Sequence, residues 1–533
     1  MPFTSLHYFL LLVVGVVVYY IIPKKIRWIW LLILSYYYYM SFEPKVVLVL
    51  VFVTLVTYGA TIWLSRINDS YKIKIKEAED LKDNEAKKEL KKRLKSSKRK
   101  VLILMLLLDF ASLVFLKYAN FTIDNINLFI KAVNSDATLL RNFNFIIPLG
   151  ISFYTFQSAG YIIDIYWDKY AVEKNFFKLA LFLGWFPSLM QGPISRYDKV
   201  SKTLFAGNDY DLRKLEFGAQ KILWGLFKKL VIADRAAVTV KYIVNNNADM
   251  DALACILVLI FYTLQLYGDF SGGIDIVRGS AELFGVEIGE NFRQPFFAKS
   301  IAEFWRRWHI SLGKWMKDYV FYPFSLSKAM SRFGKWCKKH FKGNASRALP
   351  LCLGNLLVFF IVGIWHGAAW RYIAYGFYNG IIIAASELLK PVYDWGADKL
   401  HINRNAKPWK AFMVVRTFIL VNIGWIFDIY PDMATIGSMF AGIFTRWGAF
   451  SWSNIYNLYI TKMGLVVSDY IILVLATIAV IVVGVLQEKK IDVREAVANR
   501  NIVIRWLIYY CLVMAIFLVG YGSNESGFIY ANF

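Results

Sequence analysis

The stretch Ile471–Leu486 reads IILVLATIAVIVVGVL and contains no charged residue. A helix of this composition approaches the length needed to cross the hydrocarbon core, and it satisfies its own backbone polar groups in lipid. Comparable apolar stretches recur at Leu6–Ile22, Val46–Leu64, Val101–Leu116 and Ile502–Gly520. Because a soluble protein could not bury so many such segments at once, they predict a polytopic bundle of transmembrane helices.

The composition of the 533-residue chain supports this class, since 58% of its residues are hydrophobic and 17% are aromatic. A net charge of +24 could indicate nucleic-acid binding. The basic residues concentrate in loops between predicted spans, as the positive-inside rule expects, so we expect no nucleic-acid partner. The four cysteines have no paired spacing, and the sequence has no phosphate-binding loop, zinc signature or serine-hydrolase elbow. We therefore expect no metal and no permanently bound cofactor.

The charge of the loops predicts how the chain is threaded through the membrane. Arg66–Lys100 has twice as many basic as acidic residues, which places it in the cytoplasm as a charged, partly helical insertion. The basic stretch Ser271–Arg347 contains no clean span and is expected to form a cytoplasmic layer of amphipathic helices. Phe177–Gly192 is short, and it indicates a re-entrant or kinked segment. The predicted fold class is all-α, with about twelve transmembrane crossings and both termini outside.

Two more predictions concern neighbouring spans. Leu351–Ala368 and Arg371–Leu389 are separated by a very short connection, and they predict a helical hairpin. Asn120–Phe145 is near neutral in charge, which is compatible with an external loop between two spans.

Two of the five histidines lie in unusual surroundings. His366 lies inside an apolar span, in GIWHGAAW at 363–370, and His309 lies in FWRRWH at 304–309. An ionisable residue in a membrane helix is costly and therefore a candidate functional residue, and imidazole suits general-base catalysis near neutral pH. The alternative is a histidine that only hydrogen-bonds a neighbouring helix. The residues alone leave both roles open for His366 and favour the supporting role for His309.

Asp269 is an acidic residue at the predicted membrane depth. It lies in YGDFSGG at 267–273, where the apolar helix is expected to give way to a flexible turn. Its carboxylate could pair with an arginine or orient an imidazole. Pairing for stability is the favoured interpretation, because a buried charge needs a partner.

Several longer motifs occur together in this chain. They read SYYYYMSFEP at 35–44, FLKYANF at 115–121, PLGISFYTFQ at 148–157, QGPISRY at 191–197, EFWRRWHISL at 303–312 and WHG at 365–367. In combination they resemble the membrane-bound O-acyltransferase superfamily, specifically the bacterial branch with alginate O-acetylation and teichoic-acid D-alanylation proteins. The resemblance runs nearly end to end, and it implies a ring of helices around a thin centre with a tunnel that joins the two membrane faces.

For the site, the resemblance implies that His366 is the catalytic histidine and that His309 is the second family histidine, near the donor-side entrance. Candidate donor-side or tunnel residues are Trp305, Arg306, Arg307, Trp308, Asp269, Asp318 and Trp365. Arg306–His309 and Lys314–Lys317 form a basic, tryptophan-rich face, which would attract an acidic donor such as coenzyme A or a phosphopantetheinyl carrier protein. The same face could instead anchor interfacial helices to anionic membrane lipid.

The C-terminal tail, residues 521–533, is a polar loop followed by the aromatic hexapeptide FIYANF. This hexapeptide resembles a C-terminal motif that D-alanylation systems of the family carry on a separate small protein. The resemblance implies that Tyr530 is an acyl relay at the outer mouth of the tunnel, with its phenol activated by a base such as His366. The alternative is a tail that only packs at the membrane interface.

Residues and resemblance together predict an O-acyltransferase of the cytoplasmic membrane. It is expected to pass an acyl group, acetyl from acetyl-CoA as the first candidate, to an extracytoplasmic partner acyltransferase or esterase-like protein that acylates a surface polysaccharide. D-alanyl transfer from a carrier-protein thioester to teichoic acid is the second candidate. Alternatives of another class are a polysaccharide exporter or transporter and a scaffold subunit of a cell-wall synthase. We find no two-fold repeat with broken helices of the kind that many transporters have.

Overall fold

A computed structural model describes residues 2–135, 137–247, 250–447 and 463–521 together with residue 528. Over these residues the chain is helical and has no strand, which confirms the all-α prediction. The described residues divide into two units, one within 1–215 and 280–288 and the other within 216–279 and 289–532.

The helices of the first unit are α1 (Leu6–Ile21), α2 (Arg27–Met40), α3 (Val47–Asp80), α4 (Asn84–Val133), α5 (Ile151–Tyr166), α6 (Phe176–Gly184), α7 (Phe186–Leu189) and α8 (Tyr197–Leu204). Those lying wholly or mostly in the second unit are α9 (Leu212–Leu226), α10 (Asp234–Asn245), α11 (Ala252–Leu283), α12 (Ile301–Arg307), α13 (Ile310–Met316), α14 (Tyr322–Ser325), α15 (Lys328–His340), α16 (Ala345–His366), α17 (Trp370–Leu388), α18 (Lys390–Lys399), α19 (Lys407–Ile429), α20 (Met433–Thr445), α21 (Val467–Glu488), α22 (Val493–Ala498) and α23 (Ile502–Val519). Two π-helical segments, Phe227–Ala233 and Lys317–Phe321, continue α9 and α13.

Seven of the described helices are long and apolar enough to cross a membrane, namely α3, α4, α11, α16, α19, α21 and α23. This finding confirms a multi-pass membrane protein. The predicted total of about twelve crossings also counts shorter helices such as α1 and α5, which have 16 residues each. Nearly all side chains of α5 are buried in protein, so its length need not match the lipid. These additional crossings stay predictions.

α3 and α4 form a hairpin that includes the charged segment Arg66–Lys100. α4 begins where the Asp83 carboxylate accepts a hydrogen bond from the backbone N–H of Ala86 at 2.9 Å. Lysine and glutamate are good helix formers, so both helices extend beyond their apolar stretches. α4 also continues to Val133, so about half of the predicted external loop Asn120–Phe145 is helical.

The predicted kink in Phe177–Gly192 is confirmed, because the helix is broken at Trp185 between α6 and α7. α7 lies against the start of α5. A Cβ on Gly150, which has a φ of +75°, would lie 2.1 Å from the carbonyl oxygen of Leu189. Only glycine therefore lets α5 begin at this close approach.

The predicted hairpin of α16 and α17 is also confirmed, and it depends on contact between the two backbones. A Cβ on Gly363 would lie 2.5 Å from the carbonyl oxygen of Tyr372, and a Cβ on Gly376 would lie 2.3 Å from that of Phe359. Larger residues at either glycine would push the helices apart. The hairpin places His366, the last residue of α16, beside the first turns of α17.

The prediction of a flexible turn at Asp269 is wrong, because α11 runs unbroken through this position. Its glycines face the chain segment 218–233. A Cβ on Gly272 would lie 2.7 Å from the carbonyl oxygen of Gly225, and a Cβ on Gly279 would lie 2.5 Å from that of Gly218. The glycines therefore serve close helix packing and not flexibility.

We predict that Gly225→Ala lowers the stability of the protein by about 1–3 kcal/mol. The new Cβ would lie 2.5 Å from the carbonyl oxygen of Gly272, and backbone cannot move aside as a side chain can. The thermal unfolding midpoint in detergent measures the effect. Gly437→Ala is the matched control, because a Cβ there meets no atom within 4 Å. A midpoint for Gly225→Ala equal to that of the control would contradict the packing explanation.

Candidate active site

His366 is buried at the end of α16 and is surrounded by aromatic rings. Its imidazole centroid lies 5.2 Å from the ring of Trp365, 5.6 Å from Tyr375 and 6.2 Å from Tyr372, which is nearly parallel to it. Gly367 allows this arrangement, since a Cβ there would lie 2.3 Å from the Tyr372 ring. The glycine after the histidine thus makes room for the tyrosine beside the imidazole.

His309 lies in the turn between α12 and α13, and hydrogen bonds on both sides hold this turn in place. α12 begins where the Ser300 hydroxyl accepts a hydrogen bond from the N–H of Glu303 at 3.1 Å, a common helix cap. Two backbone hydrogen bonds join the turn to residues 291–293. The N–H of Arg293 donates to the Arg307 carbonyl at 2.9 Å, and the N–H of Ile310 donates to the Asn291 carbonyl at 3.0 Å. These contacts fix the chain direction on both sides of His309.

The His309 side chain is almost fully buried and is oriented by Asn291. The backbone N–H of Ser311 donates to Asn291 Oδ1 at 3.0 Å, and His309 Nδ1 lies 3.3 Å from the same oxygen. Because that atom accepts from a backbone N–H, it is the carbonyl oxygen, and Nδ1 must be the protonated ring nitrogen in a neutral imidazole. Nε2 then carries the lone pair.

Trp365 lies between the two histidines. Its ring centroid is 5.6 Å from His309 and 5.2 Å from His366. The structure therefore brings together His309, Trp365 and His366, which the sequence had indicated separately. We call these three residues the histidine–tryptophan cluster.

Burial, and second the neighbouring His366, lower the pKa of His309 to about 3. His309 lies outside the seven candidate spans, in the short connection between α12 and α13. At neutral pH its imidazole is consequently uncharged and available as a hydrogen-bonding partner within an aromatic surrounding.

Trp305 and Trp308 extend the aromatic surroundings of the cluster. The Trp305 indole N–H donates to Asn379 Oδ1 at 3.0 Å, and its ring lies 6.3 Å from Tyr375, a neighbour of His366. Trp308 is 1% exposed and lies 5.5 Å from Trp425. Both tryptophans therefore build the wall of the site and not an exposed donor face.

The charged candidates of this region have different surroundings. Arg307 forms ion pairs with Glu303, at 2.8 Å, and with Glu488 of α21, so it holds α12 in place. Arg306 is exposed, whereas Asp318 is half-buried in the π-helical segment after α13. Of the two arginines, Arg306 is thus the one whose side chain is open to an approaching molecule.

Asp269 is paired with a lysine, where the sequence had suggested an arginine. Lys229 Nζ lies 2.6 Å from Asp269 Oδ1 and 2.8 Å from Asp234 Oδ1, and all three side chains are at least 96% buried. Sequence analysis did not identify Lys229, although two consecutive lysines at 228 and 229 between apolar residues were a usable signal. We call these three residues the buried ion triad.

Other functional candidates had no sequence signal. Asn291 orients His309 from 18 positions away, and Tyr372 and Tyr375 flank His366 only because α17 folds back on α16. Tyr530 lies outside the described residues, so its proposed relay role stays a prediction. Phe528 of the same hexapeptide is described, and its ring lies 4.8 Å from Lys229 Nζ.

Comparison with known proteins gives a family match over the region of this site. The model of the MBOAT, membrane-bound O-acyltransferase family, matches residues 171–419. This range includes the histidine–tryptophan cluster, Asn291 and the buried ion triad.

Three relatives illustrate the similarity. The chain is 32% identical over 349 residues to the probable alginate O-acetylase of Pseudomonas syringae pv. tomato, covering 64% of this chain and 60% of the relative. It is 30% identical over 398 residues to the probable alginate O-acetylase of Azotobacter vinelandii, covering 73% and 71%. It is 32% identical over 299 residues to the teichoic acid D-alanyltransferase of Bacillus subtilis, covering 54% and 70%. The chain spans 60% of the length of the first of these relatives.

We predict that His309→Asn weakens the pH dependence of stability below neutral pH. The pKa of His309 is about 3 in the folded protein and about 6.5 when unfolded, so the unfolded state binds more protons between these values. Stability is therefore lost as pH falls below about 6.5, and the variant lacks this contribution. Asparagine is chosen because His309 has a φ of +46°, which asparagine tolerates well.

The measurement is the thermal unfolding midpoint in detergent between about pH 7 and pH 5. His340→Asn is the control, because His340 is exposed. A slope of midpoint against pH that is the same in His309→Asn, in the control and in the wild type would contradict the prediction.

Proposed function

Because the chain belongs to the membrane-bound O-acyltransferase family, we propose that it is an enzyme that transfers an acyl group from a thioester donor to a hydroxyl group. The observation that carries this proposal is the histidine–tryptophan cluster, in which a buried histidine at the end of a membrane helix shares one aromatic site with a second histidine. Such a site suits proton transfer away from bulk water.

His366 is the general base in the proposed reaction. It takes the proton of the acceptor hydroxyl, whose oxygen attacks the carbonyl carbon of the thioester. The new carbon–oxygen bond forms, the carbon–sulfur bond breaks, and the proton passes from the imidazolium to the departing thiolate. Tyr372 and Tyr375 limit the orientations available to the His366 ring.

His309 is a positioning residue in this proposal. Asn291 orients its imidazole, and the ring packs against Trp365, which in turn packs against His366. Loss of His309 would loosen the packing of the Trp365 indole next to the catalytic imidazole. Its effect on rate should therefore be smaller than the effect of removing His366.

The donor is proposed to be acetyl-CoA, with the phosphopantetheine thioester of a carrier protein as the second candidate. Arg306, Lys314 and Lys317 are exposed, which supports attraction of an acidic donor, while anionic lipid is the competing ligand of this face. The names of the two alginate O-acetylases favour an acetyl donor. The name of the Bacillus relative keeps D-alanyl transfer as the second candidate.

The acceptor is proposed to be a surface polysaccharide, in keeping with the polymers named for the relatives. Tyr530 would accept the acyl group first, and an extracytoplasmic partner acyltransferase or esterase-like protein would complete the transfer. The protein would lie in the cytoplasmic membrane with both termini outside. A central tunnel connecting the donor and acceptor sides belongs to this proposal.

We predict that His366→Ala abolishes O-acylation of the polymer in cells that express the variant as their only copy. The alanine side chain cannot take the hydroxyl proton, and loss of a general base costs about 10²–10⁴-fold in rate. O-acyl content of purified polymer, normalised to protein abundance in membranes, is the measurement. His340→Ala, at an exposed position, serves as the control and should leave acylation unchanged.

The amount of polymer outside the cell separates this enzyme from an exporter. The proposal expects His366→Ala cells to secrete the same amount of polymer without acyl groups. Retained acylation in a stably produced variant would overturn the catalytic assignment. Loss of polymer export together with acylation would favour the exporter.

A further inference from the structure

Tyr521 and Phe528, which follow α23, both contact one short stretch of the second unit. The backbone N–H of Tyr521 donates to the carbonyl oxygen of Leu230 at 2.8 Å. The Tyr521 ring centre lies 5.7 Å from the guanidinium carbon of Arg235, and the Phe528 ring centre lies 4.8 Å from Lys229 Nζ. Leu230 and Lys229 belong to the π-helical segment Phe227–Ala233, and Arg235 stands two positions after its end, in the first turn of α10.

Phe528 is buried, with only 4% of its surface exposed. Lys229, over which its ring lies, is 2% exposed. A cation against an aromatic face interacts more strongly when both are removed from water. The contact between Phe528 and Lys229 is therefore buried within the protein and is not a surface contact.

The cation under Phe528 has a fixed position. Asp269 and Asp234 hold the Lys229 ammonium from two directions, at 2.6 and 2.8 Å. Moving the ammonium away would leave buried carboxylates without their cation, which is strongly unfavourable. Within the buried ion triad, the Lys229 ammonium is thus a cation held in a fixed position against the aromatic ring.

Arg235 is fixed in the same manner. Its guanidinium donates to Asp469 Oδ1 at 3.1 Å, to the Val231 carbonyl at 2.7 Å and to the Val519 carbonyl at 2.6 Å. The bond to Val519 ties it to the last residue of α23, directly before the tail. Both cations that face the tail's aromatic rings are consequently held by other bonds.

The two adjacent lysines of the π-helical segment have different partners. Lys228 Nζ binds Asp275 at 2.7 Å and Ser271 Oγ at 2.8 Å, whereas Lys229 binds the other two carboxylates. Irregular helical turns of this kind are frequent at functional sites. Both lysines therefore fasten the π-helical segment to α11, and Lys229 in addition contacts Phe528.

We propose that Lys229 and Arg235, on the π-helical turn and the start of α10, are positioning residues that dock the protein's own C-terminal segment through Phe528 and Tyr521. Phe528 stands two positions before Tyr530 in the sequence. An anchor at Phe528 restricts where Tyr530 can be presented, and this consequence rests on the proposed acyl relay. The docking itself does not depend on the relay.

Hydrogen–deuterium exchange of the full chain in detergent tests the docking. The peptide covering residues 520–533 should exchange about tenfold faster in Phe528→Ala than in the wild type, while peptides of α21 stay unchanged. Phe517→Ala is the matched control, since Phe517 lies near the same terminus and is 80% exposed. Exchange of this peptide at the wild-type rate in Phe528→Ala would overturn the proposal.

Two further variants distinguish the ring contact from simple apolar burial. Phe528→Trp keeps an aromatic face for the ammonium and should retain wild-type protection, whereas Phe528→Leu keeps apolar character without the ring and should lose most of it. Equal protection in the leucine and tryptophan variants would overturn the role of Lys229.

Labelling with radioactive acetyl-CoA separates this inference from the proposed function. If docking positions the relay, Phe528→Ala should lower the turnover number for labelling of the C-terminal peptide, leave KM for acetyl-CoA unchanged, and be rescued by Phe528→Trp. Faster exchange in Phe528→Ala together with an unlabelled wild type would support the docking and contradict the relay. Wild-type exchange in Phe528→Ala together with a labelled wild type would contradict the docking and leave the proposed function intact.

Discussion

Contact between the backbones of α16 and α17 determines the geometry of the candidate active site. Gly363 and Gly376 remove the side chains that would separate the two helices. Because the helices touch, Tyr372 and Tyr375 reach the imidazole of His366 at the end of the hairpin. Trp365, the residue before His366, contacts His309, which lies in the connection between α12 and α13. The steric constraint between α16 and α17 thus orders His366 and the tyrosine rings beside it.

Buried ion pairs fix a second region of the second unit, around the π-helical segment Phe227–Ala233. The triad of Lys229, Asp234 and Asp269 and the pair of Arg235 and Asp469 lie largely out of water. Such groups contribute little to stability compared with apolar packing, but removing one partner is costly, so they specify one arrangement. Here they hold the π-helical turn against α11 and α21, and they present two cations to the end of the chain.

The sequence was informative wherever a local pattern decided the outcome. The α16–α17 hairpin and the break at Trp185 could be predicted because apolar length and the positions of Gly and Pro carry the information locally. Hydropathy predicted the ends of helices less accurately than their existence, because the lysine- and glutamate-rich parts of α3 and α4 are also helical although they lie beyond the apolar stretches. The turn expected at Asp269 was wrong because a glycine can serve flexibility or close packing, and only the partner helix decides which.

The proximity of the two histidines and the role of Asn291 depend on non-local contacts, so the sequence could not predict them. His309 and His366 are far apart along the chain, and nothing in either motif indicates that Trp365 joins them. Asn291 has no distinguishing pattern, because its role depends on one oxygen that accepts from Ser311 and faces His309. The family resemblance supplied the importance of both histidines, and the structure supplied their shared surroundings.

We propose that His366 is the base of a thioester acyl transfer. The most direct measurement is release of free thiol from acetyl-CoA in a single turnover by the purified full chain, compared between the wild type and His366→Gln. We expect thiol release by the wild type and a rate at least about 100-fold lower in the variant. Thiol release by a folded His366→Gln protein at the wild-type rate would contradict it.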